Sequence, residues 1–129
     1  MRPIELLISK AENTFEDANY LSFERKSYES AVSRAYYSIF YITEAMLLTK
    51  SLTTTSHKGL SVEFAKNFIK TNEIEPIYGK ILSNIFQKRQ FGDYNMYAEI
   101  TESVANEVLK DAAKFIGRMK TYLSEKEAL

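Results

Sequence analysis

The chain has 129 residues, of which 45% are apolar and 26% are charged, the composition of an ordinary globular domain. Its 17 Lys and Arg residues balance its 17 Asp and Glu residues. This zero formal charge excludes a protein that coats nucleic acid through a general excess of positive charge, and the absence of cysteine excludes disulfides and thiolate chemistry.

The hydrophobic periodicity predicts helices from the start of the chain. The first covers residues 3–20 and begins with a proline, which is acceptable at the first helical position. The second covers residues 26–50. Its predicted core stripe consists of Val32, Tyr36, Ile39 or Phe40, Thr43 and Leu47. Residues 51–56 are mostly hydroxylated and are predicted to form a loop.

The third predicted helix covers residues 58–70 and the fourth covers residues 76–92. Gly92 is expected to stop the fourth helix, because glycine is common just after a helix C-terminus. Asp93 or Asn95 is the candidate N-cap of the last helix.

Together these elements predict a single domain over residues 1–129. The predicted fold is all-α, an antiparallel up-and-down bundle of four to five helices with short connections. No apolar run approaches the roughly 18 residues that span a bilayer, and no signal peptide is visible. We therefore expect a cytoplasmic protein that does not contact a membrane.

The most informative segment runs from Arg89 to Tyr94. Read backwards from Arg89, apolar residues Ile85, Leu82 and Tyr78 recur at helical spacing, so the arginine points where the hydrophobic side chains point. A guanidinium cannot lose its proton, and it needs a carboxylate, a phosphate or a ring face as its partner. The alternative is a helix-end cation that favours the dipole and is neutralised by Asp93.

The second helix carries another stripe beside its core stripe. Ser30, Arg34, Tyr37, Tyr41 and Glu44 lie on one side of it at offsets of four, three, four and three. One interpretation is a partly exposed face whose tyrosines bury their rings and keep their hydroxyls in water. The other is a polar seam that meets Arg89 across the bundle or a dimer axis, with Glu44 as counter-charge.

The only histidine is His57, within Ser56-His57-Lys58-Gly59 at a predicted helix start. It is either a local hydrogen-bonding residue or a catalytic one. With one histidine and no cysteine, the spacing indicates no metal site, and the scattered glycines form no phosphate-cradling loop. We therefore expect no metal and no cofactor.

Three signatures resemble the HEPN domain (higher eukaryotes and prokaryotes nucleotide-binding) of the small stand-alone prokaryotic type. They are residues 31–40 with the sequence AVSRAYYSIF, the Ser56 to Gly59 segment, and Arg89 followed by Asp93-Tyr94. The resemblance covers the chain to about Lys120. It implies an antiparallel helical bundle that forms a homodimer.

Many members of that family are metal-independent ribonucleases, often toxins paired with a minimal nucleotidyltransferase. Their motif is an arginine, a short variable stretch and a histidine, brought together across the dimer. Arg89 matches the arginine, whereas the histidine positions hold Tyr94, Asn95 and Met96. In some paired toxins a tyrosine shortly after the histidine is modified by the partner. Tyr97 takes that place if Asn95 is aligned with the histidine.

The resemblance implies a toxin-like partner of a nucleotidyltransferase in a two-component toxin–antitoxin-type system. Arg89 would bind a phosphate of RNA or nucleotide, with Asp93 and Tyr94 orienting it. If the protein cleaves RNA, Tyr94 or His57 would carry the proton. The expected binding residues around this centre are Arg34, Tyr37, Glu44, His57 and Asp93.

Two alternatives remain open at this point. One is a non-catalytic helical module that binds a nucleotide or a protein through the same cleft, which the missing motif histidine favours. The other is a structural dimer in which Arg89 forms an ion pair with Glu44 or Asp93.

Overall fold

A computed structural model describes residues 2–94 and 99–126, apart from the side chains of residues 93 and 94. The predicted all-α class is confirmed. The elements are α1 (Pro3–Phe23), α2 (Tyr28–Leu48), α3 (His57–Phe64), α4 (Pro76–Tyr94) and α5 (Glu102–Glu125), with a π-helical turn (Ala65–Ile69) that continues α3. Within these residues no helix is long and apolar enough to cross a membrane.

Helix α2 is the centre of the bundle, since it contacts each of the four other helices. It is antiparallel to α1, which it follows after a four-residue connection that contains Lys26 at a φ of 52°. The predicted core stripe is confirmed, because Val32, Tyr36, Ile39, Phe40, Thr43 and Leu47 are all buried. The apolar face of α2 is therefore the surface against which the other helices pack.

Helix α3 begins at His57, one residue earlier than predicted, because Ser56 caps it. The Ser56 hydroxyl accepts a hydrogen bond from the Gly59 N–H at 2.9 Å. Glycine is required at position 59 because two hydroxyl oxygens approach its Cα closely. A Cβ there would lie 2.4 Å from Thr54 Oγ1 and 2.7 Å from Ser56 Oγ. This cap fixes the position of His57 at the start of the helix.

The prediction that Gly92 stops α4 is wrong. The helix continues to Tyr94, and the structure contains no glycine with a positive φ among its described residues. Gly92 instead allows close packing, since a Cβ there would lie 3.1 Å from Glu29 Cγ and 3.4 Å from Ile100 Cγ1.

The predicted N-cap of the last helix is also wrong. Thr101 caps α5, and its hydroxyl accepts a hydrogen bond from the Val104 N–H at 3.2 Å. Asp93 cannot be the cap because its backbone still belongs to α4. Asn95 lies outside the described residues.

A polar network ties the far end of α2 to the rest of the bundle. Lys50 Nζ donates to the Glu73 carboxylate at 2.5 Å and to the Asn67 carbonyl, and the Tyr122 hydroxyl donates to the other Glu73 oxygen at 2.6 Å. The hydrogen bonds from Lys50 and then from Tyr122 lower the pKa of Glu73 to about 2. The network joins the connection before α4 to α2 and α5.

The depressed pKa of Glu73 predicts acid sensitivity. Its contribution to stability is complete above the ordinary carboxyl pKa of 4.5 and is lost as the pH falls towards about 2. The Glu73 side chain is partly exposed, so solvent screening reduces this contribution. We therefore expect the unfolding free energy of the wild type to fall by about 1–2 kcal/mol more than that of Glu73→Gln between about pH 6 and about pH 3. Urea unfolding at both pH values measures this, and equal losses for the two proteins would contradict it.

Candidate functional site

The candidate site is built on two adjacent tyrosines of α2. Tyr36 is buried in the core and Tyr37 is half-buried beside it, with ring centroids 5.5 Å apart in an edge-to-face arrangement. Side chains from α3 and α4 converge on this pair. Helices that are far apart in the sequence thus contribute to one cluster.

Arg89 reaches the tyrosine pair from α4. Tyr78, Leu82 and Ile85 of its stripe are buried, and the half-buried Arg89 continues the same face. Its Cζ lies 5.0 Å from the ring centroid of Tyr37 and 5.5 Å from that of Tyr36. The predicted inward direction of Arg89 is therefore confirmed, and ring faces are among the partners of its charge.

His57 reaches the same pair from the start of α3. Its Nδ1 lies 2.7 Å from the Tyr36 hydroxyl. Its ring stacks on Phe86 of α4 at a centroid distance of 5.3 Å and an interplanar angle of 22°, and it meets Phe40 edge-on at 5.2 Å. Three aromatic side chains thus hold the imidazole in one orientation.

The protonation states of Tyr36 and His57 follow from their surroundings. Burial raises the pKa of Tyr36 far above its usual range, and the opposing effect of Arg89 is smaller, so the phenol keeps its proton. Burial lowers the pKa of His57, and the Arg89 charge lowers it further, so the imidazole is neutral at pH 7. The direction of their hydrogen bond depends on the imidazole tautomer: the Tyr36 hydroxyl donates when the ring proton is on Nε2, and Nδ1–H donates when it is on Nδ1.

A second arginine approaches Tyr37 from α2 itself. Arg34 Cζ lies 5.3 Å from the Tyr37 ring centroid, so two guanidinium groups contact one ring. The structure thus brings together Arg34, Tyr37, His57 and Arg89, four of the residues that the sequence singled out.

Glu44 lies elsewhere on α2. It lines a small pocket of about 90 Å³ with Leu7, Leu47, Leu48, Leu52, Thr53 and Thr54. Burial raises the pKa of its carboxyl, and the charge that opposes this is that of Lys10. Its electrostatic environment within one chain is therefore set by α1 and not by the arginines around Tyr37.

The remaining predicted residues lie at the end of α4. Asp93 and Tyr94 belong to its last turn, but their side chains are outside the described part of the structure. Asn95, Met96 and Tyr97 are outside it entirely. The roles expected for Asp93, Tyr94 and Tyr97 stay predictions.

The sequence did not assign Tyr36 and Phe86 to the site. Tyr36 was correctly expected in the core, but its hydrogen bond to His57 joins residues 21 positions apart, and no local spacing indicates such a contact. A metal site has no support in the described residues, among which no group of three His, Asp or Glu side chains could hold an ion.

Comparisons with known proteins agree with this architecture. The HEPN domain family model matches residues 4–122. Two proteins of Methanocaldococcus jannaschii named "Putative toxin MJ0142" and "Putative toxin MJ0605" are each 38% identical, over 99% and 95% of this chain and 86% and 90% of their own lengths. A UPF0332 protein of Thermotoga maritima is 30% identical over 95% of this chain and 92% of its own length.

The proximity of Arg89 to His57 predicts a measurable titration shift. Replacing Arg89 by methionine removes a positive charge that disfavours the imidazolium, so we expect the pKa of His57 to rise. Because the chain has one histidine, its ring resonances in NMR spectra report this directly. Arg25→Met, at an exposed position between α1 and α2, is the matched control and should leave the titration unchanged. An unshifted His57 in Arg89→Met would refute the electrostatic contact.

Proposed function

Because this chain belongs to the HEPN domain family and its relatives include proteins named as toxins, we propose that it is the toxin-like member of a two-component system. In this proposal Arg89 binds a phosphate of RNA, and the partner protein is a nucleotidyltransferase. The observation that carries the proposal is the convergence of Arg89 and His57, from α4 and α3, on the Tyr36–Tyr37 pair.

The geometry around Arg89 suits a phosphate. The guanidinium is half-buried against aromatic rings, which limits its rotation and reduces its exposure to water. A partly desolvated arginine binds an anion more strongly than a fully solvated one does. The zero net charge of the chain agrees with one local phosphate site rather than with a broad basic surface.

His57 adds a hydrogen-bond donor to this site. In the tautomer whose Nδ1 accepts from the Tyr36 hydroxyl, the Nε2–H is the donor that the imidazole offers to a phosphate oxygen. In RNA cleavage, the same proton would pass to the departing 5′-oxygen while the 2′-oxygen bonds to phosphorus. The base that removes the 2′-hydroxyl proton is not supplied by His57 in this tautomer. The geometry therefore favours phosphate binding as the primary activity, with cleavage requiring a further proton acceptor.

Growth arrest and RNA cleavage test the toxin role of Arg89. We expect the wild type to arrest growth of a bacterial host and Arg89→Ala to lose this effect, because the phosphate contact is removed. If a nucleotidyltransferase is encoded beside this gene, its co-expression should relieve the arrest. Arg25→Ala, which changes an exposed arginine in the connection between α1 and α2, should behave as the wild type.

The same strains separate the alternatives. RNA that stays intact while growth stops indicates a toxin that acts by binding. Equal toxicity and equal RNA affinity of wild type and Arg89→Ala would eliminate the phosphate role. If Arg89 only stabilises the fold through contacts within the protein, Arg89→Met should change thermal stability and leave RNA binding unchanged.

A pH dependence of binding tests the role of His57. Its pKa is lowered in the free protein, and a bound phosphate would raise it by adding a nearby negative charge. RNA affinity should therefore increase as the pH falls from about 8 to about 5.5, because binding then takes up a proton. A short 2′-O-methyl oligoribonucleotide is the probe, since it cannot be cleaved and its phosphodiesters do not titrate in this range.

His57→Gln is the matched variant for that titration. It keeps a side-chain N–H donor but cannot take up a proton, so its affinity should be independent of pH. If the wild type and His57→Gln show the same pH profile, His57 does not contact the phosphate.

A further inference from the structure

A groove runs between α4 and α3 with its π-helical continuation. We define the α3–α4 groove as the cavity bounded on one side by Ser61, Phe64 and Ala65 and on the other by Gly79, Ser83 and Gln87. Its volume of about 500 Å³ lies within the range of small-molecule binding sites. Neither Arg89 nor His57 lines it, so the groove is a separate feature of the molecule.

The α3–α4 groove combines an apolar floor with a polar rim. Phe64 and Leu82 line the groove and are buried, so their side chains form its floor. The polar lining residues provide two hydroxyls and two carboxamides, from Ser61, Ser83, Asn84 and Gln87. An apolar surface with a few polar groups at its edge is typical of a ligand site.

The polar groups of this rim are not used within the protein. Among residues 2–94 and 99–126, the side chains of these two serines and two amides make no hydrogen bond. A carboxamide presents a donor and an acceptor side by side, which is also the pattern on the edge of a nucleobase. An apolar protein side chain in the groove would cover these groups without pairing them, and each unmade hydrogen bond costs free energy.

The charge in the α3–α4 groove suits a ligand with an anionic backbone. Of the described residues that line the groove, one is charged, and it is the cationic Lys80. No carboxylate of the described residues lines it. A neutral ring that is attached to phosphates therefore meets no electrostatic repulsion there.

The α3–α4 groove adjoins the candidate site through the stacked rings of His57 and Phe86. Ser61 lies one turn after His57 on α3, and Gln87 follows Phe86 directly on α4. The groove therefore starts at residues next to the imidazole. A strand whose phosphate is bound at Arg89 and His57 has a neighbouring base close to it.

We propose that the α3–α4 groove binds one unstacked nucleobase of single-stranded RNA. This inference rests on the proposed function and extends it from a phosphate to a nucleotide of a single strand. The ring of the base lies on the apolar floor, and the carboxamides of Asn84 and Gln87 hydrogen bond to its edge. A duplex keeps its bases stacked and paired, so the groove selects single-stranded RNA.

A titration with nucleosides tests the α3–α4 groove without any phosphate. We expect at least one of adenosine, guanosine, cytidine and uridine to shift the side-chain amide signals of Asn84 and Gln87 in NMR spectra. Millimolar concentrations are needed, because a single base makes few contacts. Ribose, which lacks the base, is the control and should leave both signals unchanged.

Gly79→Leu fills the α3–α4 groove without removing a protein contact. A Cβ at position 79 would lie 3.7 Å from Ile69 Cγ1, an ordinary contact distance, and the rest of the leucine side chain would occupy the groove. Leucine also favours a helix more than glycine does, so the variant should fold. Gly117→Leu makes the same change on α5, where a Cβ meets no atom within 4 Å, and is the matched control.

Two RNA probes measure what the base contributes. One is a short 2′-O-methyl oligoribonucleotide, and the other has the same length and phosphates but lacks bases. The wild type and Gly117→Leu should bind the first at least about fivefold more tightly than the second, because stacking of one base contributes this much. Gly79→Leu should bind the two probes alike and should not respond to nucleosides.

Three results would overturn the inference: no nucleoside shifts the amide signals of the wild type, the wild type binds the two probes equally, or Gly79→Leu keeps the wild-type preference. Arg89→Ala separates this inference from the proposed function. If Arg89→Ala binds RNA as tightly as the wild type while the base preference and the nucleoside shifts persist, the phosphate role fails and the groove remains. If RNA affinity depends on Arg89 but not on the base, the groove fails and the proposed function remains.

Discussion

The burial of α2 is the constraint on which the rest of the structure depends. A helix that contacts every other helix must present apolar or aromatic side chains over most of its circumference. Two consecutive tyrosines lie at the boundary of that buried face, with Tyr36 inside the core and Tyr37 at its edge. Within an otherwise apolar bundle, polar groups from other helices can therefore contact the hydroxyls and ring faces of these two tyrosines. Both the arginine of α4 and the histidine of α3 do so.

The electrostatics of the site follow from this position. Arg89 retains its charge wherever it is placed, whereas His57 responds to its surroundings. Burial and the neighbouring guanidinium both lower the pKa of His57, and the buried Tyr36 phenol shares a hydrogen bond with its Nδ1. The site therefore contains one permanent cation, Arg89, and one neutral imidazole, His57. The resting protein therefore does not place two positive charges side by side.

Tyr37 connects the two arginines of the candidate site. Its ring contacts the guanidinium groups of Arg34, from α2 itself, and of Arg89, from α4. The Lys50–Glu73–Tyr122 network has a different role, since it joins the C-terminal end of α2 to the connection before α4 and to α5 and stabilises the fold. The stabilising network thus lies at the C-terminal end of α2, whereas the candidate site lies near the middle of this helix.

The sequence by itself determined the all-α class, the core stripe of α2 and the inward direction of Arg89, because helical periodicity fixes which side chains share a face. It did not determine the stop of α4 or the cap of α5. Gly92 has a packing role that depends on Glu29 and Ile100, and several polar residues compete as caps. Only the tertiary structure decided that His57 and Arg89 meet on the Tyr36–Tyr37 pair and that Glu44 lies beside Lys10. Those contacts join residues on different helices, and periodicity within one helix carries no information about the rotation of one helix against another.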